Sequence, residues 1–202
     1  IDGETALNLI TLLVLKTGRA KKEKGAIAVP VTASRAIEEM AESYGFNVVR
    51  TKTTSRGIME AAMGKDVVFV GEDTGGFIFP KFQPIFDGMY AIAKILEMIA
   101  CEKTNLHKLV SEIPASVMIK DRVMCNWENK GTVMRRLAED SRGKDTTLID
   151  GIRINFGGDW ILAYPSQSHP YFHIVAEAGT EEKARELVSA YAGKIRAWQA
   201  ER

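Results

Sequence analysis

The stretch GEDTGGF, from Gly71 to Phe77, holds residues well suited to binding a small polar ligand. A carboxylate such as that of Glu72 can accept hydrogen bonds from paired sugar hydroxyls, and the hydroxyl of Thr74 can both donate and accept. Glycines such as Gly75 let backbone N–H groups approach a ligand closely. Loops of this composition are also ordinary turns, so ligand binding and a plain turn are the two interpretations.

A second polar stretch, YPSQSHP, runs from Tyr164 to Pro170. Hydroxyls and backbone amides in such a loop can cradle a phosphate, and a proline-bounded turn is the plain alternative. The candidate phosphate-binding residues are Tyr164, Ser166, Gln167, Ser168 and, in the run that follows the loop, His173. A histidine can be protonated near neutral pH, although a structural histidine is the more common case.

Arg56, in the segment TTSRG, is a further candidate for substrate binding. Its guanidinium could meet a phosphate or a hydroxyl, or it could be a solvated residue in the first turn of a helix. Two cysteines, Cys101 and Cys125, lack the spacing of metal ligands or of a redox pair. We therefore predict no metal site in this chain and expect buried thiols in a reducing compartment, which favours a cytoplasmic protein.

The elements that position these residues alternate along the first half of the chain. Apolar runs at 26–31, 46–51 and 66–70 predict strands, and helical spacing predicts helices at 4–16, 34–44, 55–63 and 88–102. In the last of these helices Met89, Ile92, Ala93, Leu96 and Ile99 repeat on one face. Alternating strands and helices predict a three-layer α/β domain over residues 1–113 with a mainly parallel sheet. Gly71 then follows the third strand, at the sheet edge where ligands gather.

The pattern changes after residue 104. A short helix at 105–112, an extended segment at 115–125 and a helix at 130–140 precede strand-like runs at 147–156, 159–164 and 171–177. The pair Gly157-Gly158 predicts a hairpin between two of these runs. A closing helix covers 180–198. We predict a smaller α+β domain over residues 114–202, with an antiparallel sheet and packed helices.

The overall charge excludes some classes of partner. The 27 basic and 26 acidic residues nearly cancel, and no basic stripe accompanies the strands of the second domain. A nucleic-acid partner is therefore not expected. No apolar run approaches the roughly 20 residues of a membrane span, so we expect no membrane partner either.

The order of these motifs resembles the α-D-phosphohexomutases, the phosphomannomutase and phosphoglucomutase family. Residues 71–76 resemble its sugar-binding loop G-E-x-S-G-H, and residues 164–170 its phosphate loop R-P-S-G/N-T-E-P. Residues 53–57 fall near its T-x-G-x-K/R segment, and DGIR at 150–153 with GDWIL at 158–162 resembles a hairpin of its fourth domain. Thr74 replaces a serine, Gly76 a histidine, Tyr164 an arginine and His169 a glutamate.

The resemblance implies that residues 1–113 are domain three, with the sugar-binding loop, and residues 114–202 domain four, with the phosphate-binding loop. Such enzymes move a phosphoryl group between C1 and C6 of a hexose phosphate through a bisphosphate, using a phosphoserine and an Mg²⁺ loop that this sequence lacks. Ile1 begins just beyond the place of the metal loop. We therefore expect the C-terminal half of a mutase, inactive alone, whose partners are mannose or glucose phosphate and the N-terminal domains of the same chain.

A second group of related proteins suggests an alternative function. Residues 50–53, 127–131 and 170–177 look like the mutase-like half of proteins that fuse a sugar nucleotidyltransferase, such as a mannose-1-phosphate guanylyltransferase-like domain, to a phosphomannomutase-like one. In that setting the chain could be a non-catalytic module that binds a sugar phosphate for regulation or structure. Mannose or glucose specificity and the oligomeric state are left open by these residues.

Overall fold

The computed structural model describes residues 2–200, which form two compact units. Within the described residues the first unit ends at Ala115 and the second begins at Ser116, whereas the sequence predicted the division after Ile113. Within the described residues, none of the helices combines the length and the apolar character that a bilayer crossing requires.

The first unit contains five helices and four strands in the described part of the chain. In order they are α1 (Gly3–Ala20), β1 (Ala26–Pro30), α2 (Ala36–Tyr44), β2 (Asn47–Thr51), α3 (Ser55–Ala62), β3 (Val67–Gly71), β4 (Phe77–Ile78), α4 (Gly88–Cys101) and α5 (Leu106–Val110). The sheet order is β2-β1-β3-β4. Strand β1 pairs in parallel with both β2 and β3, and β4 pairs antiparallel with β3.

Alternating side chains of β1 explain the layering of this unit. Ile27 and Val29 join the core formed with α1, α2, α4 and α5, whereas Ala28 faces the opposite side and packs with α3. Successive residues of a strand point to opposite faces, so a strand that is buried along its whole length needs apolar side chains on both. All five residues of β1 are buried. The predicted three-layer α/β architecture is confirmed.

The second unit is an antiparallel sheet with helices on one face. Its elements are β5 (Val117–Met124), α6 (Lys130–Asp140), β6 (Thr146–Thr147), β7 (Ile152–Phe156), β8 (Asp159–Pro165), β9 (Tyr171–Ala178) and α7 (Glu181–Ala200), with a 3-10 turn at Trp127–Asn129. The sheet order is β5-β9-β8-β7-β6. Phe172, Ile174 and Ala176 of β9 share a core with α6 and α7. The predicted antiparallel sheet with packed helices is confirmed.

One predicted strand is two strands in the structure. The run at 147–156 is broken between β6 and β7 by a turn in which Asp150 and Gly151 have φ of 50° and 132°. Thr146 and Thr147 then pair back antiparallel with Ile154 and Arg153. The Asp-Gly pair is a turn signal that the apolar run around it concealed.

Two other details differ from the sequence patterns. Cys101 is exposed at the end of α4, so only Cys125 is the buried thiol that we expected. The apolar stripe of α4 is largely on its outer face, where Met89, Ile92 and Leu96 are 85%, 63% and 62% exposed. The core instead receives Ala91 and Met98. Helix α4 is apolar on both sides, so its helical spacing alone did not select the buried one.

The hairpin motif at 150–162 contributes to a cluster of buried polar and aromatic side chains in the second unit. The indole N–H of Trp160 donates to a carboxylate oxygen of Glu177 at 2.5 Å, and the guanidinium carbon of Arg153 lies 3.9 Å from the centre of the Trp160 ring. All three side chains are buried. A buried carboxylate and guanidinium need such partners, because an unpaired charge in the interior is costly.

The two glycines Gly151 and Gly193 should respond to alanine in opposite ways. A Cβ at Gly151 would overlap the backbone of Ala163 and Tyr164, and its φ of 132° is strained for alanine. Gly193 lies in α7 with open space around it. We expect Gly151→Ala to destabilise the second unit by about 2–4 kcal/mol. We expect Gly193→Ala to stabilise it by about 0.5–1 kcal/mol.

Urea denaturation followed by tryptophan fluorescence measures both effects, because all three tryptophans, Trp127, Trp160 and Trp198, lie in this unit. Equal midpoints for the two variants would contradict the described geometry of the turn at Gly151.

Candidate functional site

The carboxyl ends of β1, β2 and β3 meet at one edge of the first sheet, because the three strands are parallel neighbours. Three connections leave from this edge, at residues 31–35, 52–54 and 72–76. The predicted sugar-binding residues and Arg56 belong to the last two connections or directly follow them. Open α/β sheets bind ligands at this edge.

The loop at 72–76 is the tip of a tight hairpin between β3 and β4. The N–H of Glu72 donates to the carbonyl of Gly76 at 3.0 Å, and the N–H of Gly75 donates to the carbonyl of Glu72 at 3.2 Å. Gly75 has a φ of 98°, which glycine adopts without strain. Thr74 and Gly75 are exposed and Glu72 is half-buried. The expected ligand loop is therefore also a well-formed turn.

The side chains of Glu72 and Thr74 in this loop are available to a ligand. Among residues 2–200, no group donates a hydrogen bond to the carboxylate of Glu72, and the hydroxyl of Thr74 has no partner there either. A Cβ at position 76 would collide with that carboxylate and with the ring of Phe86. The glycine at position 76 therefore makes room for the carboxylate. A half-buried carboxylate with its lone pairs unused can accept hydrogen bonds from a ligand.

Arg56 lies in the first turn of α3, at the same sheet edge. Its guanidinium is 88% exposed and donates to the carboxylate of Glu60 at 2.8 Å. The hydrogen bond and the negative charge of Glu60 raise the pKa of Arg56 above its ordinary value. The structure places Arg56 beside Glu60, and its predicted contact with substrate stays a prediction.

Arg50, at the end of β2, is a residue of this edge that the sequence analysis missed. Its guanidinium donates to the carbonyls of Pro30, Ala33 and Ser34 at 2.8–3.0 Å. It also makes a two-pronged contact with the carboxylate of Glu38, at 2.7 and 2.5 Å. Arginine alone has enough fixed donors for this arrangement. Arg50 therefore holds the connection that follows β1, between the connections that carry Arg56 and Glu72.

The candidate phosphate loop of the second unit joins β8 to β9. Ser166 donates its N–H to the carbonyl of Tyr171, and Tyr171 returns an N–H to the carbonyl of His169, at 3.0 and 2.9 Å. Ser166 is buried, whereas Gln167, Ser168 and His169 are exposed. Three of the predicted residues therefore share one loop, but Ser166 forms its base and the other two form its tip.

Lys130 anchors this loop from below and was also missed. Its ammonium donates to the carbonyls of Ser166 and His169 at 2.5 and 2.6 Å and lies 3.5 Å from the centre of the Trp127 ring. In a trans peptide the carbonyl and the following N–H point in opposite directions. Because Lys130 draws the Ser166 carbonyl inward, the N–H of Gln167 points outward. In the described chain, no protein group accepts from the N–H of Gln167 or Ser168.

Tyr164 and His173 are neighbours on adjacent strands. Their rings stack at 4.7 Å, and Tyr171 meets His173 edge-on at 4.9 Å. Burial, and then the positive charges of Arg122, His169 and Lys130, lower the pKa of His173 below its ordinary value. A lowered pKa favours the neutral imidazole, and the role of His173 as a phosphate partner stays a prediction.

Metal binding has no support in the described residues. Within residues 2–200, no three histidine, cysteine, aspartate or glutamate side chains are grouped closely enough to hold a metal ion. These residues therefore do not fit the Mg²⁺ of the resemblance.

Arg50 and Arg56 should contribute unequally to stability. We expect Arg50→Met to destabilise the first unit by about 2–4 kcal/mol, because three carbonyls and Glu38 lose a charged donor in a half-buried setting. Arg56→Met removes one exposed pair within a helix and should leave stability unchanged. Chemical denaturation followed by circular dichroism, with amide hydrogen exchange across residues 30–38, tests the pair. If the amides of residues 30–38 exchange no faster in Arg50→Met than in the wild type, the anchoring role of Arg50 is disproved.

Known proteins resemble this chain in sequence and in fold. The profile of a family described as "Phosphoglucomutase/phosphomannomutase, alpha/beta/alpha domain III" matches residues 2–117. A probable phosphoglucosamine mutase of Methanopyrus kandleri is 34% identical over 191 residues, which are 93% of this chain and 42% of the relative. A probable phosphoglucosamine mutase of Pyrococcus furiosus is 33% identical over 201 residues, 97% of this chain and 43% of the relative. The chain thus spans about two fifths of the length of these curated relatives.

Solved structures show the same fold at lower identity. A phosphoglucomutase/phosphomannomutase family protein from Burkholderia thailandensis has a TM-score of 0.80 at 19% identity, covering 100% of this chain and 43% of that one. An Aspergillus fumigatus N-acetylphosphoglucosamine mutase, in complex with GlcNAc-6P and magnesium, has a TM-score of 0.76 at 14% identity. The match covers 98% of this chain and 44% of that one.

Proposed function

Since the profile of its third domain matches more than half of the 202 residues, this chain belongs to the phosphoglucomutase/phosphomannomutase family, and we propose that it is the substrate-binding part of a phosphohexomutase. The observation that carries the proposal is the carboxylate of Glu72, which lies at the carboxyl edge of a parallel sheet with no hydrogen-bond donor from the described residues. Such a group is prepared to accept from a ligand rather than from the protein.

In the proposed reaction, a phosphoserine elsewhere in the longer protein donates its phosphoryl group to the C1 hydroxyl of a hexose 6-phosphate. The resulting 1,6-bisphosphate reorients, and its C6 phosphoryl group returns to the serine, leaving the hexose 1-phosphate. This chain supplies none of the bond-making groups and is inactive alone. The Mg²⁺ of the family belongs, in this proposal, to the other part of the protein.

We propose glucosamine phosphate as the first substrate to test. The supporting observation is that the curated relatives at 33–34% identity are named phosphoglucosamine mutases. Glucosamine, glucose and mannose all carry an equatorial pair of hydroxyls at C3 and C4. A single carboxylate can accept a hydrogen bond from each of them, which is the role proposed for Glu72, with the hydroxyl of Thr74 beside it and Gly75 leaving room for the ligand.

The loop at 166–168 and its neighbours are the proposed site for the phosphate that is not being transferred. The outward N–H of Gln167, the N–H of Ser168 that has no acceptor in the described chain, and the exposed side chains of both residues support this role. Successive N–H groups in a turn attract anions. Ser166 shapes the base of the loop, and Tyr164 and His173 line its side. Arg56 is retained as a proposed substrate contact, released from Glu60 when an anion competes for it.

The outer face of α4 supports a role within a longer protein. Met89, Ile92 and Leu96 expose a contiguous apolar stripe on a helix whose other side is already in the core. Exposed apolar patches of this kind mark interfaces. Since the relatives are more than twice as long as the matched region, we propose that another part of the same chain covers this stripe.

The alternative is a module that binds a sugar phosphate without catalysis, in a protein that also carries a nucleotidyltransferase domain. The replacement of the family arginine by Tyr164 favours it, since a phenol hydroxyl cannot make a bidentate contact with phosphate. Both proposals predict that the protein binds a sugar phosphate, but only the mutase proposal predicts that the full-length protein converts it.

A substitution at Glu72 tests the proposed function in the full-length protein. Glu72→Gln replaces a two-acceptor carboxylate with an amide, so we expect kcat/KM for glucosamine 6-phosphate to fall by about 10-fold to 100-fold, which corresponds to about 1.4–3 kcal/mol. Glu42→Gln, on the exposed surface of α2, is the matched control and should behave as wild type.

The outcomes separate the two proposals. Turnover that is lost in Glu72→Gln and kept in Glu42→Gln supports the mutase. Tight binding of glucosamine 6-phosphate without turnover, weakened by Glu72→Gln, supports the binding module. Equal kinetics and equal binding in both variants would rule out the role of Glu72.

A further inference from the structure

Three side chains form a row across the sheet of the second unit, next to the loop at 166–169. Arg122 of β5 lies directly opposite His173 of β9, and His173 lies directly opposite Tyr164 of β8. Residues directly opposite each other in an antiparallel sheet share a face. The register therefore places a guanidinium, an imidazole and a phenol side by side.

The loop itself adds a second imidazole to this row. The ring of His169 stacks on Tyr171 at 5.3 Å, and Tyr171 in turn meets His173. The guanidinium carbon of Arg122 lies 5.3 Å from the centre of the Tyr171 ring. The hydroxyl of Ser168 lies 2.8 Å from Nδ1 of His169, so the loop tip joins the same cluster.

The cluster brings basic side chains together, and its guanidinium has no carboxylate partner among the described residues. Arg122 is exposed, and among residues 2–200 no carboxylate forms an ion pair with its guanidinium. The charged groups that act on His173 are Arg122, His169 and Lys130, all of them basic. The Lys130 ammonium is committed to two carbonyls, so Arg122 is the guanidinium that remains available. An exposed guanidinium without a carboxylate partner can bind an anion.

We propose that Arg122 is the phosphate-binding arginine of this protein, reaching the loop at 166–169 from the neighbouring strand β5. The N–H groups of Gln167 and Ser168 and the imidazole of His173 complete the site. The inference rests on the proposed function, because it takes the phosphate of a hexose phosphate as the ligand. The inference explains how the loop can bind phosphate although Tyr164 stands where the family has an arginine. The ring of Tyr164 holds His173 in place, and the guanidinium is supplied by Arg122 of β5.

Phosphate is the anion that fits this set of donors. A guanidinium offers two parallel N–H groups to two oxygens of one phosphate, and the backbone N–H groups can reach a third. Loss of Arg122 should therefore affect ligands with a phosphate and spare ligands without one.

The experiment measures binding in the full-length protein by calorimetry, with glucosamine 6-phosphate and phosphate-free glucosamine as probes. We expect Arg122→Met to weaken the affinity for glucosamine 6-phosphate by about 10-fold or more and Arg122→Lys by a smaller factor, because lysine keeps the charge and loses the fork. Arg135→Met removes the same charge from the exposed side of α6 and should change the affinity less than about twofold. Binding of glucosamine should be equal in all variants.

A second readout is the proton NMR signal of the His173 imidazole, assigned with His173→Gln. Binding of a phosphate dianion beside this ring should raise its pKa, since a nearby negative charge favours the protonated form. The rise should be smaller in Arg122→Met, where the phosphate binds weakly. Unchanged tryptophan fluorescence and urea midpoints in Arg122→Met would show that the fold is intact.

The outcomes distinguish this inference from the proposed function. If Arg122→Met binds glucosamine 6-phosphate as tightly as wild type, while Glu72→Gln loses turnover, the inference is overturned and the proposed function stands. If Arg122→Met and Arg135→Met lose equal affinity, Arg122 acts only through general charge and the inference is also overturned. If the wild-type protein binds no hexose phosphate, both fail.

Discussion

The position of β1 at the centre of the first sheet is the constraint on which the candidate sugar site depends. All five of its residues are buried, and it pairs in parallel with β2 on one side and β3 on the other. Parallel pairing requires the three strands to end at one edge, so the connections after them are adjacent without any direct attraction between them. The hairpin that carries Glu72 is at this edge for that reason.

In both units a basic side chain holds a polar connection by donating hydrogen bonds to its backbone carbonyls. In the first unit the guanidinium of Arg50 binds three carbonyls, and in the second the ammonium of Lys130 binds two. Each cation comes from a neighbouring element and is at least half-buried, where a charged hydrogen bond is stronger than in water. In the second unit, the Ser166 carbonyl that is drawn inward leaves the N–H of Gln167 facing out. A basic side chain can thereby prepare a loop for an anion without touching the anion itself.

The candidate loops and the fold class could be predicted because both are local in the sequence. GEDTGGF contains its own turn residues and follows its own strand, and the alternation of strands with helices requires a layered domain. The roles of Arg50, Lys130 and Arg122 could not be found in this way. Their partners are 12 to 39 residues distant or lie across a sheet register, and nothing in the flanking residues of a lone basic side chain identifies such a partner.

Burial was equally hard to predict where a segment is apolar on several sides. Helix α4 offers two apolar faces, and only packing against α1 and the sheet decided that Ala91 and Met98 lie inside while Met89 lies outside. The run at 147–156 was misread for a different reason, because the apolar residues around Asp150-Gly151 concealed the turn signal of that pair.

The sequence by itself determined the layered and antiparallel architectures and which loops hold polar, glycine-rich residues, because hydrophobic period and turn residues act over a few neighbouring positions. Only the tertiary structure decided which charges are available. It left the carboxylate of Glu72 and the guanidinium of Arg122 without a protein counter-charge in the described chain, and it committed Lys130 and Arg50 to carbonyls. Whether a charge is satisfied depends on groups brought together by folding, and that information is spread over the whole chain.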